Sequence, residues 1–330
     1  MSKRREIFNL IERFVKGLQT NDQDEIKAVL AQDVSGNLST AGEISGNKAL
    51  SEKLLVQNFD YSISRFTVLN PVVRTDGDRA QASFYVMSLI GKVHTGFLHS
   101  AEWGGKYIIS LEAVDNQWMI KSMKYDLDWV KGNTEFINNW TLLDYAVYSG
   151  HKPSISSEYD SPWDVIPEND ESRSSEEEIS EVMFKYSFGL DNCDFRLHKT
   201  SYTDSVVFYA GSKIMESGAR NLINNFKNTS HKEHSLQHAI KIVSIVIAPD
   251  QESAELIGYR VEPHRLGSKN LNLSTLESNF YSAKYTNKFI KIEGKWVMTE
   301  LHYDAKVFVE PRLSEDIFAD EVAIQGDANA

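Results

Sequence analysis

Gly105-Lys106-Tyr107 is followed by Trp118 and then by Tyr125-Asp126; 178 positions further on, Ala283-Lys284-Tyr285 is followed by Trp296 and then by Tyr303-Asp304. One series of residue types at one set of separations, occurring twice in a chain of 330 residues, marks an internal repeat. In each copy a turn signal, Asp115-Asn116 or Glu293-Gly294, divides the block into a long strand and a strand led by tryptophan.

The match extends upstream. In the first copy two apolar runs, Phe66 to Val73 and Ala80 to Leu89, flank the hairpin signal Asp76-Gly77-Asp78. The second copy has Ile240 to Ile247, a turn at Pro249-Asp250, then Ala254 to Val261. Gly46, ahead of a short helix, matches Gly218 at an offset of 172. Ile7, Leu10, Ile11, Phe14 and Leu18 match Ile179, Val182, Met183, Tyr186 and Leu190 at the same offset, and both sets have the spacing of one buried helical face. Asp22 and Asp194 follow, and a second short helix fits Ile26 to Leu30. Residues 1–149 and 176–312 are therefore two like domains. Residues 134–148 read as a helix. Residues 150–175, rich in Ser, Pro, Asp and Glu, read as an exposed linker, and 313–330 as an acidic tail.

A formal net charge of −12, with no stripe of Lys and Arg, argues against nucleic acid as a partner. No apolar run spans a bilayer, and the first residues, charged and then amphipathic, do not read as a secretory leader, so the expectation is a cytoplasmic protein without a membrane partner. The single Cys193 excludes an intrachain disulfide and, with no basic neighbour, reads as structural.

Three helices, then a curved antiparallel sheet ending in a Trp-led strand, with the motifs quoted above, resemble the SnoaL-like branch of the NTF2-like superfamily over residues 4–132 and 176–312. The resemblance implies an α+β fold: two tandem cone-shaped barrels in which helices cover a strongly curved sheet and leave a pocket. It also implies an intrachain pseudo-dimer packed through the sheets. Scytalone dehydratase, bile-acid dehydratases, ketosteroid isomerase, polyketide cyclases and non-catalytic proteins share this fold, so chemistry must be argued from the site.

In the dehydratase-like members a Tyr and an Asp near the end of the first helix face a His by the first long strand. The second copy has Tyr186, Asp191 and His238 there; the first copy, with offsets of 172 for the helix and 174 for the hairpin, has Phe14, Gln19 and Ser64. A histidine base, a tyrosine donor and a carboxylate suit proton abstraction next to a carbonyl. The expected activity is a cofactor-independent dehydratase, isomerase or cyclase acting on a small apolar carbonyl compound. The alternatives are a non-catalytic ligand-binding or interaction protein, or a subunit of the aromatic-ring dioxygenase small-subunit type. Tyr186 also fits a packed core ring, Asp191 a helix end and His238 a polar loop with His231 and His234. Further pocket-lining candidates are His302, Tyr259, Phe14, Tyr61, His94 and His99; the five-residue spacing of His94 and His99 is not that of metal ligands, and no metal is expected.

Overall fold

The computed structural model describes residues 2–56, 60–61, 63–94, 97–132, 137, 153–229, 237–263, 280–309 and 324–325. The chain divides into two compact units, Met1–Ser172 and Arg173–Ala330. Apart from Ile137 and residues 324–325, the stretch 134–148 and the tail lie outside the described residues, as do His231 and His234.

Unit one opens with helices α1 (Lys3–Thr20) and α2 (Gln23–Val29), strands β1 (Leu30–Leu38) and β2 (Gly42–Ser45), and helix α3 (Asn47–Leu54). Long strands β3 (Ile63–Asp76), β4 (Arg79–His94), β5 (Phe97–Val114) and β6 (Gln117–Gly132) follow. The sheet order is β2-β1-β6-β5-β4-β3, antiparallel except for the parallel pair β1 and β6. Unit two repeats this with α6 (Ser175–Asp191), α7 (Phe195–Lys199), β7 (Tyr202–Ala210), β8 (Lys213–Ser217), α8 (Ala219–Thr229), β9 (Ile240–Ile247), β10 (Ser253–Pro263), β11 (Phe280–Ile292) and β12 (Lys295–Val309). Its order is β8-β7-β12-β11-β10-β9, again with one parallel pair, β7 and β12; the short β13 (Ile324–Gln325) adds to β12. The tandem α+β cones that the resemblance implies are present.

Local chemistry explains where the first helices start. Ser2 caps α1 by accepting from the Arg5 N–H, and Asn21 ends it in the left-handed region at φ 56°. Ser174 and Glu177 form a reciprocal capping box on α6. The apolar stripe predicted on each helix is the buried one, facing the concave side of its sheet.

Each first helix crosses the next at a glycine. A Cβ on Gly17 would lie 2.9 Å from the Ile26 side chain; a Cβ on Gly189 would lie 2.7 Å from the His198 backbone nitrogen. The two contacts are equivalent, because 17 and 26 become 189 and 198 at the same offset of 172. Gly189→Ala gains about 1 kcal/mol of helix propensity but forces α7 away. A net loss of about 1–3 kcal/mol of stability is expected in chemical denaturation; a neutral or stabilising result would show that α7 moves freely.

The segment read as an exposed linker is arranged otherwise. Helices α4 (Ser157–Asp160) and α5 (Pro162–Val165) belong to unit one, and residues 153–172 lie along the outer face of its sheet. Arg74 donates to the carbonyls of Ile166 and Pro167 (both 2.5 Å), Gln81 to that of Asp160 (2.8 Å), and Lys124 pairs with the Asp160 carboxylate (2.8 Å). Asp126 accepts from the N–H groups of Ser154 and Ile155. At the far end Asp170 pairs with Lys3, and the Glu171 carboxylate accepts from the Lys3 and Arg4 N–H groups at 2.8 and 3.0 Å. Serines, prolines and carboxylates suit a solvated tether, but here they cap short turns and supply acceptors to the sheet.

Candidate active site

Strand register shows which residues correspond. Thr75 pairs with Ala80 in unit one, and Ile247 with Ala254 in unit two. The second turn is thus two residues longer, so the offset is 172 on β3 and β9 and becomes 174 only on β4 and β10. His238 therefore corresponds to Phe66, not to Ser64. Hydrogen bonds agree: the Phe66 N–H donates to Gln19 Oε1 (3.3 Å), as the His238 N–H donates to Asp191 Oδ2 (2.8 Å).

Asp191 and His238 meet. Asp191 sits at the end of α6, one oxygen taking the His238 backbone N–H and the other lying 2.5 Å from Nδ1. The Asp191 side chain is fully buried and that of His238 nearly so. A carboxylate on Nδ1 fixes the imidazole orientation and puts the proton on Nδ1, leaving the lone pair on Nε2.

Tyr186, one and a half turns earlier on α6, is buried in the core of unit two. Burial holds its hydroxyl well above the ordinary tyrosine range; Tyr285, Tyr202 and Asp191 push the same way, and Arg260 opposes them. Arg260 itself is buried on β10. Along that strand Leu256 belongs to the core and Gly258 and Arg260 are buried on the same face, while Tyr259 alternates to the outer face and is half-buried there.

One histidine was not anticipated. His198 on α7 is fully buried, with the Tyr186 and Tyr202 rings standing perpendicular to it at 4.5 and 5.2 Å and Phe226 stacked at 5.4 Å. Burial lowers its pKa to about 3; His238 adds to this and Asp191 works against it. The imidazole is therefore neutral near pH 7.

The remaining candidates lie elsewhere. His302 stacks on Tyr209 at 4.2 Å and bonds Glu300 at 2.7 Å on the outer face of β12, while its neighbours Leu301 and Tyr303 turn to the core. Phe14 packs edge-on against Tyr107 and Phe84 in unit one. Tyr61 packs against the same core, half-buried, its hydroxyl pushed up by burial. The backbones of His94 and His99 lie on paired strands β4 and β5; their side chains are outside the described residues.

Set side by side, the cones differ systematically. Tyr186, His198, Tyr202, Arg260 and Asn287, all buried, stand where unit one has Phe14, Ile26, Leu30, Val86 and Ile109, also all buried. Gly258 stands where unit one has Phe84. Unit one is filled with apolar side chains at the positions where unit two carries polar ones.

A profile of the SnoaL-like domain matches residues 1–124 and again 171–302. The chain belongs to the SnoaL-like family. Among solved structures, this SnoaL-like chain is similar to a candidate scytalone dehydratase from Novosphingobium aromaticivorans (16% identity, 40% of this chain and 87% of that one, TM-score 0.35). It is also similar to a hexachlorocyclohexane dehydrochlorinase from Novosphingobium barchaimii (13%, 39% and 89%, 0.34) and to an NTF2-like protein from Cytophaga hutchinsonii (12%, 38% and 99%, 0.32). No curated protein matches. Among the described residues, no helix of either SnoaL-like unit is long and apolar enough to cross a membrane.

Proposed function

We propose that unit two is a cofactor-independent lyase or isomerase that removes a proton next to a carbonyl of a small, largely apolar substrate. The observation that carries this reading is the buried carboxylate–imidazole pair, Asp191 Oδ1 to His238 Nδ1 at 2.5 Å, in the cone with polar groups. Membership of the SnoaL-like family supports the reaction class, not the substrate.

In this reading Nε2 of His238 takes the proton from the α-carbon. The C–H electron pair forms the enolate, and negative charge moves to the carbonyl oxygen. Tyr186 donates a hydrogen bond to that oxygen, and the Arg260 charge nearby favours the anion. Asp191 stabilises the imidazolium that has formed. Where the β-carbon carries a leaving group, the enolate expels it as a C=C bond forms; otherwise the proton returns at another carbon and the product is an isomer.

A screen of β-hydroxy-ketones and β,γ-unsaturated ketones in deuterated water, read by exchange at the α-carbon, tests the reading. Binding without exchange across the series would overturn it in favour of a binding protein. With a turned-over substrate in hand, Tyr186→Phe is expected to lower kcat by about 10–10³-fold with KM little changed, since a donor to the developing oxyanion acts in the transition state. A change confined to KM would make Tyr186 a binding residue only.

A further inference from the structure

We propose that His198 and Tyr202 form a second polar subsite in unit two, which takes a hydroxyl or carbonyl group of the ligand away from the reacting carbonyl. The proposal rests on the second cone being a ligand site and does not require that it turn the ligand over.

Among the described residues, both ring nitrogens of His198 and the hydroxyl of Tyr202 are buried without a hydrogen-bond partner. Buried polar groups almost always find a partner in a folded protein, so three orphaned atoms on two touching side chains need a reason. The fold does not supply one. The equivalent residues of unit one, Ile26 and Leu30, have no polar atoms and are buried to the same degree. Glycine sets the crossing of the first two helices in both units, Gly17 for α1–α2 and Gly189 for α6–α7, so the imidazole occupies the place of an apolar side chain. Neither residue belongs to the Asp191–His238 pair, and the mechanism above does not use them.

The chemistry of the pair defines what it would hold. A neutral imidazole offers one N–H and one lone pair, and the phenol offers a donor and an acceptor. That set matches a hydroxyl, which both gives and takes, or a carbonyl, which takes. Burial keeps His198 neutral near pH 7, so the subsite has no charge with which to attract a carboxylate or phosphate. The Phe226 and Phe195 rings stack on the imidazole, at 5.4 and 6.2 Å, so a group held there would be flanked by aromatic carbon.

The test compares p-cresol with p-xylene, which share a shape and differ by a hydroxyl in place of a methyl. Dissociation constants are measured by calorimetry on the full-length protein. The parent is expected to favour p-cresol by about tenfold, the equivalent of one net hydrogen bond of about 1.4 kcal/mol. His198→Ile, which restores the unit-one residue, is expected to abolish or invert that preference. Tyr202→Phe, which keeps the ring and is the safer variant for folding, is expected to reduce it several-fold. Ser64→Ala in unit one is expected to keep it. An unchanged preference in Tyr202→Phe and in folded His198→Ile would mean that the orphaned atoms hold an internal water only, and would overturn the proposal. So would a parent that binds neither probe. Preference without α-proton exchange on any ketone would sink the catalytic reading alone; exchange without preference would sink the subsite alone.

Discussion

Replacing His238 by alanine is expected to slow turnover by about 10²–10⁴-fold, the usual cost of losing a general base, while affinity changes by no more than a few-fold. The base acts in the transition state, so its loss belongs in kcat. Asp191→Asn makes the same point from the other side. The amide keeps the shape, yet its nitrogen cannot accept from Nδ1–H and its oxygen cannot balance an imidazolium. A rate loss of at least about 10²-fold is expected even though His238 remains. Ser64 of unit one, whose hydroxyl donates to the Gln19 carbonyl at 2.6 Å, is the control; alanine there should leave turnover unchanged. Steady-state kinetics on the three variants decide the matter. A His238→Ala protein that keeps the parental kcat removes the imidazole from the mechanism.

The second large effect concerns stability in acid. His198 has a pKa of about 3 in the fold against the ordinary 6.5. The unfolded chain binds this proton first, so the group's contribution is fully present above about pH 6.5 and falls as the pH drops toward about 3. The slope approaches about 1.4 kcal/mol per pH unit within that window, for a total of about 3–5 kcal/mol. His198→Ile cannot take up the proton. The parent and the variant should therefore separate progressively between pH 6 and pH 4, roughly the upper part of that window, with the variant the more stable in acid. Burial of two nitrogens that lack a hydrogen-bond partner among the described residues should make the variant at least as stable near pH 7 as well. The measurement is urea denaturation across pH, read as the difference between the two proteins so that shared carboxylates cancel. Parallel curves would mean that His198 is hydrated or partnered in solution.

Much of the fold was legible because the chain contains its own comparison. A single Trp-led strand is weak evidence, but Trp118 and Trp296 in matched surroundings fix the repeat, and the stripes on α1 and α6 fix which helical faces are buried. The site was legible only in part. Asp191 and His238 stood out because the unit-one residues cannot do their work, yet the partner of His238 was misassigned as Ser64. The error came from counting the offset across a turn whose two extra residues fall after β9, and only strand pairing reveals on which side they fall. His302 and Tyr259, read as pocket-lining candidates, alternate to the outer face of their strands, and a bulge in the β9–β10 pairing makes face counts unsafe without the register. His198 escaped notice because a lone histidine among Arg196 and Lys199 reads as a polar surface turn. The available signal was its alignment with Ile26, the fully buried residue against Gly17.

The strap along the outer face of unit one has a bearing on the order of events as the chain is made. The first N–H groups of α1 carry the positive end of the helix dipole, and the carboxylate that meets them belongs to Glu171, 168 residues from Lys3. Arg74 and Gln81 likewise wait for Ile166, Pro167 and Asp160. A ribosome that has released only the six strands of the first sheet has released a cone whose opening helix and outer face still lack these partners. Completion comes when Ser172 emerges, and the next residues already cap α6. Domains generally fold as units during synthesis, N-terminal first. Here the closing stitch of one unit and the opening turn of the next are adjacent in the message, so a fragment ended at residue 132 or 149 is an unfinished unit one.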